Sequence, residues 1–257
     1  MTPFDLHDGG DMVVRVTLNA NGPFRFLLDT GSSRSAVSAS VANALMLVPL
    51  ADTTLITPTG QSERPIAVLR RLELGAAPPT NVLAMIVPDA ELQRSRGVDG
   101  IVGQDVLGSL TYTIDYVKRY IVWHVTPPTD VDGHRLTLWR SDYGLLVTLP
   151  QRSGIEDLHF VPDTGANGWV LFADERRLPS TTPLGTASVH SLSGARSAAS
   201  ALIEELCVGA ITFRNQRAVI ITGDWPGRPL GDGLLPLHLF ARVTFNPRAH
   251  QLIVEGR

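Results

Sequence analysis

The chain has 257 residues, room for one large or two small domains. Its 44% apolar content supports real cores, and its 18% charged content argues against a disordered or highly solvated chain. A net charge of −3, with no basic patch interleaved with aromatics, gives no ground for a nucleic-acid partner.

Cys207 is the only cysteine, so no internal disulfide forms; its strand-like setting reads as a buried, inert thiol. No run reaches the length of a membrane helix. Met1 to Asp11 is polar and turn-rich and lacks the basic and apolar regions of a signal peptide. The chain as it stands reads as soluble and cytoplasmic, or as exported if a leader was trimmed, and the compartment stays open.

In chain order, Val13 to Leu18 alternates like a strand, and Asn21-Gly22 is a short hairpin signal. Phe24 to Leu28 returns and delivers Asp29 at the head of Asp29-Thr30-Gly31-Ser32. Ser40 is the expected N-cap of a short helix through Leu45. Thr53–Thr57 and Pro65–Leu69 read as strands around a turn at Pro58-Thr59-Gly60-Gln61. Further strands are expected at Leu72–Gly75 and Val82–Val87, then an apolar, glycine-punctuated element at 98–103 and a helical turn at 104–107. Tyr112–Tyr116 and Tyr120–Trp123 form a hairpin around Val117-Lys118-Arg119. Residues 126–134, with Pro127 and Pro128, are the clearest linker, which divides the chain into lobes 1–125 and 135–257.

The second half replays the first. Leu145–Leu149 and Leu158–Val161 lead to Asp163-Thr164-Gly165-Ala166, with Asp163 lying 134 residues after Asp29. One Asp-Thr-Gly has a chance probability of a few per cent in such a length, given ordinary residue frequencies. The surroundings repeat as well. At nearly the same offset Asp174 matches Ser40, Gly194 matches Gly60, Gly209 matches Gly75, and Asp232-Gly233-Leu234-Leu235 matches Asp99-Gly100-Ile101-Val102. Such a series requires an internal duplication. The class is all-β with a few short helices.

Two core strands that each end in a carboxylate, related by a pseudo-twofold axis, make one catalytic pair. Two aspartates about 3 Å apart do not both ionise easily, so they share a proton, one serving as general base and the other as general acid. A water between them would attack a peptide carbonyl with no metal, cofactor or covalent intermediate. Gly31 and Gly165 allow the sharp turn, Thr30 and Thr164 would cross-link the loops, and the Ser32 hydroxyl would donate to Asp29, which Ala166 cannot do for Asp163. The tips at Thr59, Gly60 and Gln61 and at Ser193 and Gly194 would close over a peptide strand.

Asp29-Thr30-Gly31-Ser32 and Asp163-Thr164-Gly165-Ala166 resemble the motifs of retropepsin-like aspartic proteases. Ile101-Val102-Gly103 is similar to the apolar-apolar-Gly element that packs behind the catalytic loop in that family, and Leu234-Leu235 stands in its place in the second half, followed by Pro236 instead of glycine. Pro162 precedes the second aspartate. The order of elements most resembles bacterial single-chain proteins in which two retropepsin-like domains are fused. The resemblance implies a bilobal acid-protease fold, an aspartic endopeptidase acting on peptides or unfolded proteins, and a monomer, since one chain supplies both halves. The alternative is a catalytically impaired relative that binds peptides or a partner protein in the same cleft.

Other chemistries find no support. The seven histidines lack metal-ligand spacing, His124 and His134 read as solvated, and His238 reads as a satisfied core residue. Gly223 to Gly233 has no Gly-Lys-Ser/Thr, and Ser32, Ser33 and Ser35 do not form a nucleophile elbow.

Overall fold

The computed structural model describes residues 1–7, 9–128, 131–141, 144–150, 156–172, 179–222 and 231–257, with the backbone alone at 93–96. The expected N-cap Asp174, the helix after it and most of the 223–233 glycine segment lie outside the described residues.

The fold is all-β, bilobal and pseudo-twofold symmetric. The first half carries β1 (Thr2–Pro3), β2 (Asp5–Leu6), β3 (Met12–Leu18), β4 (Asn21–Leu28), β5 (Ala36–Ser38), β6 (Pro49–Thr57), β7 (Gly60–Glu73), β8 (Thr80–Val87), β9 (Gly100–Val102), β10 (Thr111–Asp115) and β11 (Tyr120–His124). Its helices are α1 (Ala39–Ala44), α2 (Asp89–Arg96) and α3 (Gln104–Leu107). The second half carries β12 (His134–Ser141), β13 (Gly144–Leu149), β14 (Leu158–Asp163), β15 (Trp169–Phe172), β16 (Thr181–Ser191), β17 (Gly194–Val208), β18 (Ile211–Ile221), β19 (Gly233–Pro236), β20 (Arg242–Asn246) and β21 (Gln251–Glu255). Short 3₁₀ turns cover Leu237–Leu239 and Pro247–Ala249.

The duplication is visible strand by strand. One sheet runs β2-β3-β4-β9-β5-β8-β7-β6, and β12-β13-β14-β19-β15-β18-β17-β16 repeats that order. Between them the halves share six antiparallel strands, β1-β11-β10-β20-β21-β12, with Thr113 opposite Thr244 where the halves meet. β12 belongs to both layers: His134–Thr137 pair with β21 and Leu138–Ser141 with β13. It does alone what β1 and β2 do together in the first half.

The aspartate-bearing strands are continuous apolar runs because both faces are covered. Phe26 and Leu28 enter the main core, while Leu27 packs with Val13 and Ile101 in a second cluster. Gly100 and Gly233 allow β9 and β19 to lie close against their neighbours. A Cβ would sit 2.5 Å from the Ala36 carbonyl oxygen in the first case and 2.1 Å from that of Val170 in the second.

Several local expectations are corrected. The first hairpin turns at Asn19-Ala20, both at positive φ, with Leu18 opposite Asn21. A turn at Asn21-Gly22 would set Pro23 in a ladder position to which it cannot donate. The N-cap of α1 is Ser38, whose hydroxyl accepts from the Val41 N–H at 3.2 Å, and Ser40 lies inside the helix. The segments at Pro65–Leu69 and Leu72–Gly75 are one long strand, β7, with a register shift between Leu69 and Leu72. α2 carried no signal strong enough to be read in the sequence. Cys207 is half-buried in β17, with its Sγ 3.7 Å from the Thr212 hydroxyl.

Candidate active site

β4 ends at Leu28, and Asp29 follows with its N–H donated to the Val102 carbonyl of β9 at 3.0 Å. The Asp29 Oδ1 accepts the backbone N–H groups of Gly31 and Ser32, each at 3.0 Å. Asp163 ends β14 beside Pro236 of β19, and its Oδ1 accepts the Gly165 N–H at 2.7 Å. Asp163 is buried and Asp29 half-buried. The Ser32 hydroxyl does not serve Asp29, contrary to expectation; it donates to the Arg34 carbonyl at 2.8 Å, and the Ser32 backbone does the work instead.

The loops interlock. The Thr30 N–H donates to the Thr164 hydroxyl and the Thr164 N–H to the Thr30 hydroxyl, both at 3.0 Å. Each hydroxyl then donates across the axis, Thr30 to the Pro162 carbonyl at 2.7 Å and Thr164 to the Leu28 carbonyl at 2.5 Å. Pro162 therefore fits. The grip uses its carbonyl, and its missing N–H is not called upon. Each glycine faces the opposite carboxyl: a Cβ on Gly31 would lie 2.5 Å from the Asp163 Cγ, and one on Gly165 3.0 Å from the Asp29 Cγ. The two aspartates and their turns thus form one compact unit.

Ile101 and Val102 run beside the first loop, as Leu234 and Leu235 run beside the second. A Cβ on Gly103 would fall 2.6 Å from the Arg34 backbone carbonyl, so glycine is needed there. At the place of Arg34 the second half has Gly168, around which a Cβ would meet nothing within 4 Å. Pro236 sits comfortably at φ −72°.

The hairpin tips meet each other. Ser191 donates to the Thr57 hydroxyl at 2.9 Å, its hydroxyl also contacts that of Thr59, and the Ser193 N–H donates to it at 3.3 Å. The Arg196 guanidinium reaches the Pro58 carbonyl across the gap at 3.3 Å. Leu192 packs on the first-lobe cluster that holds Leu55 and Met85. Gly60 and Gly194 open their strands at φ +153° and +123° with free space around them, and Gln61 is exposed. A groove of about 240 Å³ lies elsewhere, on the six-stranded layer around Thr113, His124 and Arg242, and includes neither aspartate. Among the described residues no group of three or more His, Cys, Asp and Glu side chains could hold a metal.

A family model described as aspartyl protease matches residues 14–106. That match covers most of the first half and leaves the second half unmatched. The matched segment contains the first Asp-Thr-Gly, the first hairpin tip and Ile101-Val102-Gly103. Among solved structures the chain is similar to the crystal structure of basic 7S globulin from soybean, with a TM-score of 0.51 and 11% identity over 99% of this chain and 94% of that one. At that identity the likeness shows the fold. No curated protein matches the chain in sequence.

Three supports of these loops were not singled out from the sequence. Gln104 donates from Nε2 to the Thr30 carbonyl at 2.8 Å and from its N–H to that of Ser32 at 2.9 Å. Asp105 accepts the Ser35 hydroxyl at 2.7 Å and the Ser35 N–H at 3.0 Å, and the Ser35 hydroxyl accepts the Gly103 N–H at 3.1 Å. Burial raises the Asp105 carboxyl above its ordinary range, against the lowering effect of the Ser35 bonds. The third support, the Thr57–Ser191 contact, spans the same offset of 134 as the aspartates, and that repeat was a usable signal.

Proposed function

We propose that the chain is an aspartic endopeptidase in which Asp29 and Asp163 share one proton and activate a water between them. The reciprocal Thr30–Thr164 grip, with each loop glycine seated against the other half's carboxyl, carries this reading. Such an interlock fixes two carboxylates across one axis, the geometry a water-activating pair needs. Backbone N–H donors at each Oδ1 would hold the carboxylate planes while the remaining oxygens face the substrate carbonyl. The hairpin tips at Thr59-Gly60-Gln61 and Ser193-Gly194 would roof an extended peptide, which pairs through its backbone.

The lobes in this reading are residues 1–125 and 135–257, joined by 126–134, of which His134 already stands in β12. Each chain supplies both halves, so the working unit is a monomer and the substrate a flexible peptide or unfolded protein. The test is cleavage of an unfolded protein from acidic to neutral pH by the natural chain, Asp29→Asn and Asp163→Asn, with folding confirmed for all three. Activity lost in both variants supports the pair. Peptide binding without cleavage by the natural chain supports the alternative, a binding relative.

A further inference from the structure

The two Asp-Thr-Gly loops are braced differently. The first is held from behind by Gln104, Asp105 and Ser35 of its own half. The register of β4 with β9 and of β14 with β19 puts Leu237 where Gln104 stands and His238 where Asp105 stands, and Trp169 replaces Ser35. At those three positions the second half does not carry the Gln-Asp-Ser set.

What covers the second loop comes from the other end of the chain. Gly9, Gly10 and Asp11 lie against it, tied to His7 by the His7 N–H to the Asp11 carbonyl and the Gly10 N–H to the His7 carbonyl, each at 3.0 Å. With its amide oriented to suit both partners, Asn167 donates to the Gly9 carbonyl and to the Asp11 Oδ1, each at 3.0 Å. Gly9 and Gly10 have φ of +91° and +95°. A Cβ on Gly10 would fall 2.5 Å from the His238 Nδ1. The Ala166 backbone lies within reach of the His238 ring. The ring's Nδ1 is buried with no hydrogen-bond partner among the described residues, which leaves Nε2 to meet that backbone. From the C-terminus, Arg257 donates to the His238 carbonyl at 2.7 Å.

We propose that His238 is a positioning residue: its neutral ring clamps the second Asp-Thr-Gly loop against the N-terminal segment Gly9–Asp11, and protonation of that ring releases the clamp. The inference rests on the endopeptidase reading for its effect on turnover, though not for the clamp itself. A proton on Nδ1 creates a buried donor facing Gly10, where the described residues offer it no acceptor. Among the described residues, the charged or titratable groups on the elements that pack here are Arg257 on the C-terminal segment, Asp11 and His7 on the N-terminal segment, and Asp163 on the loop, of which Arg257 acts on the ring. Tyr116 on the segment after β10 faces both Asp163 and Arg257. Burial first, then Arg257, lowers the His238 basicity below the ordinary histidine value, against the raising effect of the Ala166 bond. The unfolded chain takes up its proton near pH 6.5, so the clamped state loses stability as pH falls below that value. A chain built this way loses activity toward acid, a limit that the paired aspartates do not impose.

Amide exchange at residues 9–11 and 165–168, corrected for intrinsic rates, tests the clamp whether or not the chain cleaves peptides. In the natural chain, exchange is expected to accelerate tenfold or more between pH 7 and pH 5. His238→Gln keeps an Nε2 donor without a titrating ring and should hold its protection at pH 5. Asn167→Ala should loosen the turn already at pH 7, and it remains decisive if His238→Gln fails to fold. If the chain is a peptidase, His238→Gln extends the kcat profile to lower pH with KM little changed. Equal acid sensitivity of the natural chain and His238→Gln, or full protection in Asn167→Ala, overturns the clamp. A chain that shows the exchange pattern without cleavage overturns only the endopeptidase reading.

Discussion

Thr30 and Thr164, 134 residues apart, hold one another by the same bond made twice: each backbone N–H donates to the other's hydroxyl at 3.0 Å. Replacing either by alanine removes one acceptor and one donor and leaves a buried N–H unpaired. Such a loss costs about 1–3 kcal/mol. Thr30→Ala and Thr164→Ala should lower the urea midpoint by matching amounts. Thr→Ser at either site, which keeps the hydroxyl, should recover most of the loss. Additive costs in the double variant would argue against a single interlocked unit.

The loop glycines should prove unequal. A Cβ at Gly31 comes within 2.5 Å of the Asp163 carboxyl carbon, while one at Gly165 stands 3.0 Å from that of Asp29. Gly31→Ala should therefore reduce kcat more than Gly165→Ala, with a loss of about a hundredfold or more from misplacing a reacting group. KM should change less than kcat in both. Equal, near-natural turnover would contradict the close approach.

Pro236 fits its backbone at φ −72°. Pro236→Gly should destabilise the fold by about 0.4–1 kcal/mol through the freer unfolded chain, without raising activity. Denaturant titration beside the cleavage assay reads both effects. A gain in turnover would show that the proline impairs the second half.

Asp105 supplies a pH signature. Its folded carboxyl is raised by burial above the ordinary value of 3.8. The unfolded state therefore releases that proton first, and the group's contribution, full below pH 3.8, declines as pH rises through the folded value. Asp105→Asn has no such decline. The gap in unfolding free energy between natural chain and variant should narrow as pH rises above 3.8 and the natural chain ionises. A constant gap would place the carboxyl in a solvated setting.

The overall fold was legible because it is written twice. Apolar runs ending in Asp-Thr-Gly, and glycines at Gly60/Gly194 and Gly75/Gly209, keep their offset because the strands they bound are superposable copies. The grip was legible from Thr30 and Thr164. Other features depend on pairing that no local pattern shows. The first turn moved to Asn19-Ala20 because Pro23 cannot sit opposite a donor-requiring partner. The cap moved to Ser38 because the helix follows the three-residue β5 directly and starts before Ser40. Gln104 and Asp105 read as a helical turn, and only the approach of β9 to the loop turns them into its brace. His238 read as a satisfied core residue, yet its Nδ1 has no partner among the described residues, because the turn that faces it lies at the other end of the chain.

The most direct test of the central claim is a double-mutant cycle on the two aspartates, read as kcat/KM for one peptide substrate. A single shared site predicts that Asp29→Asn and Asp163→Asn each abolish nearly all catalysis and that the double variant is no worse than either, since residues acting as a unit are non-additive. Substantial turnover in either single variant, or losses that multiply in the double, would contradict one active site built from both halves.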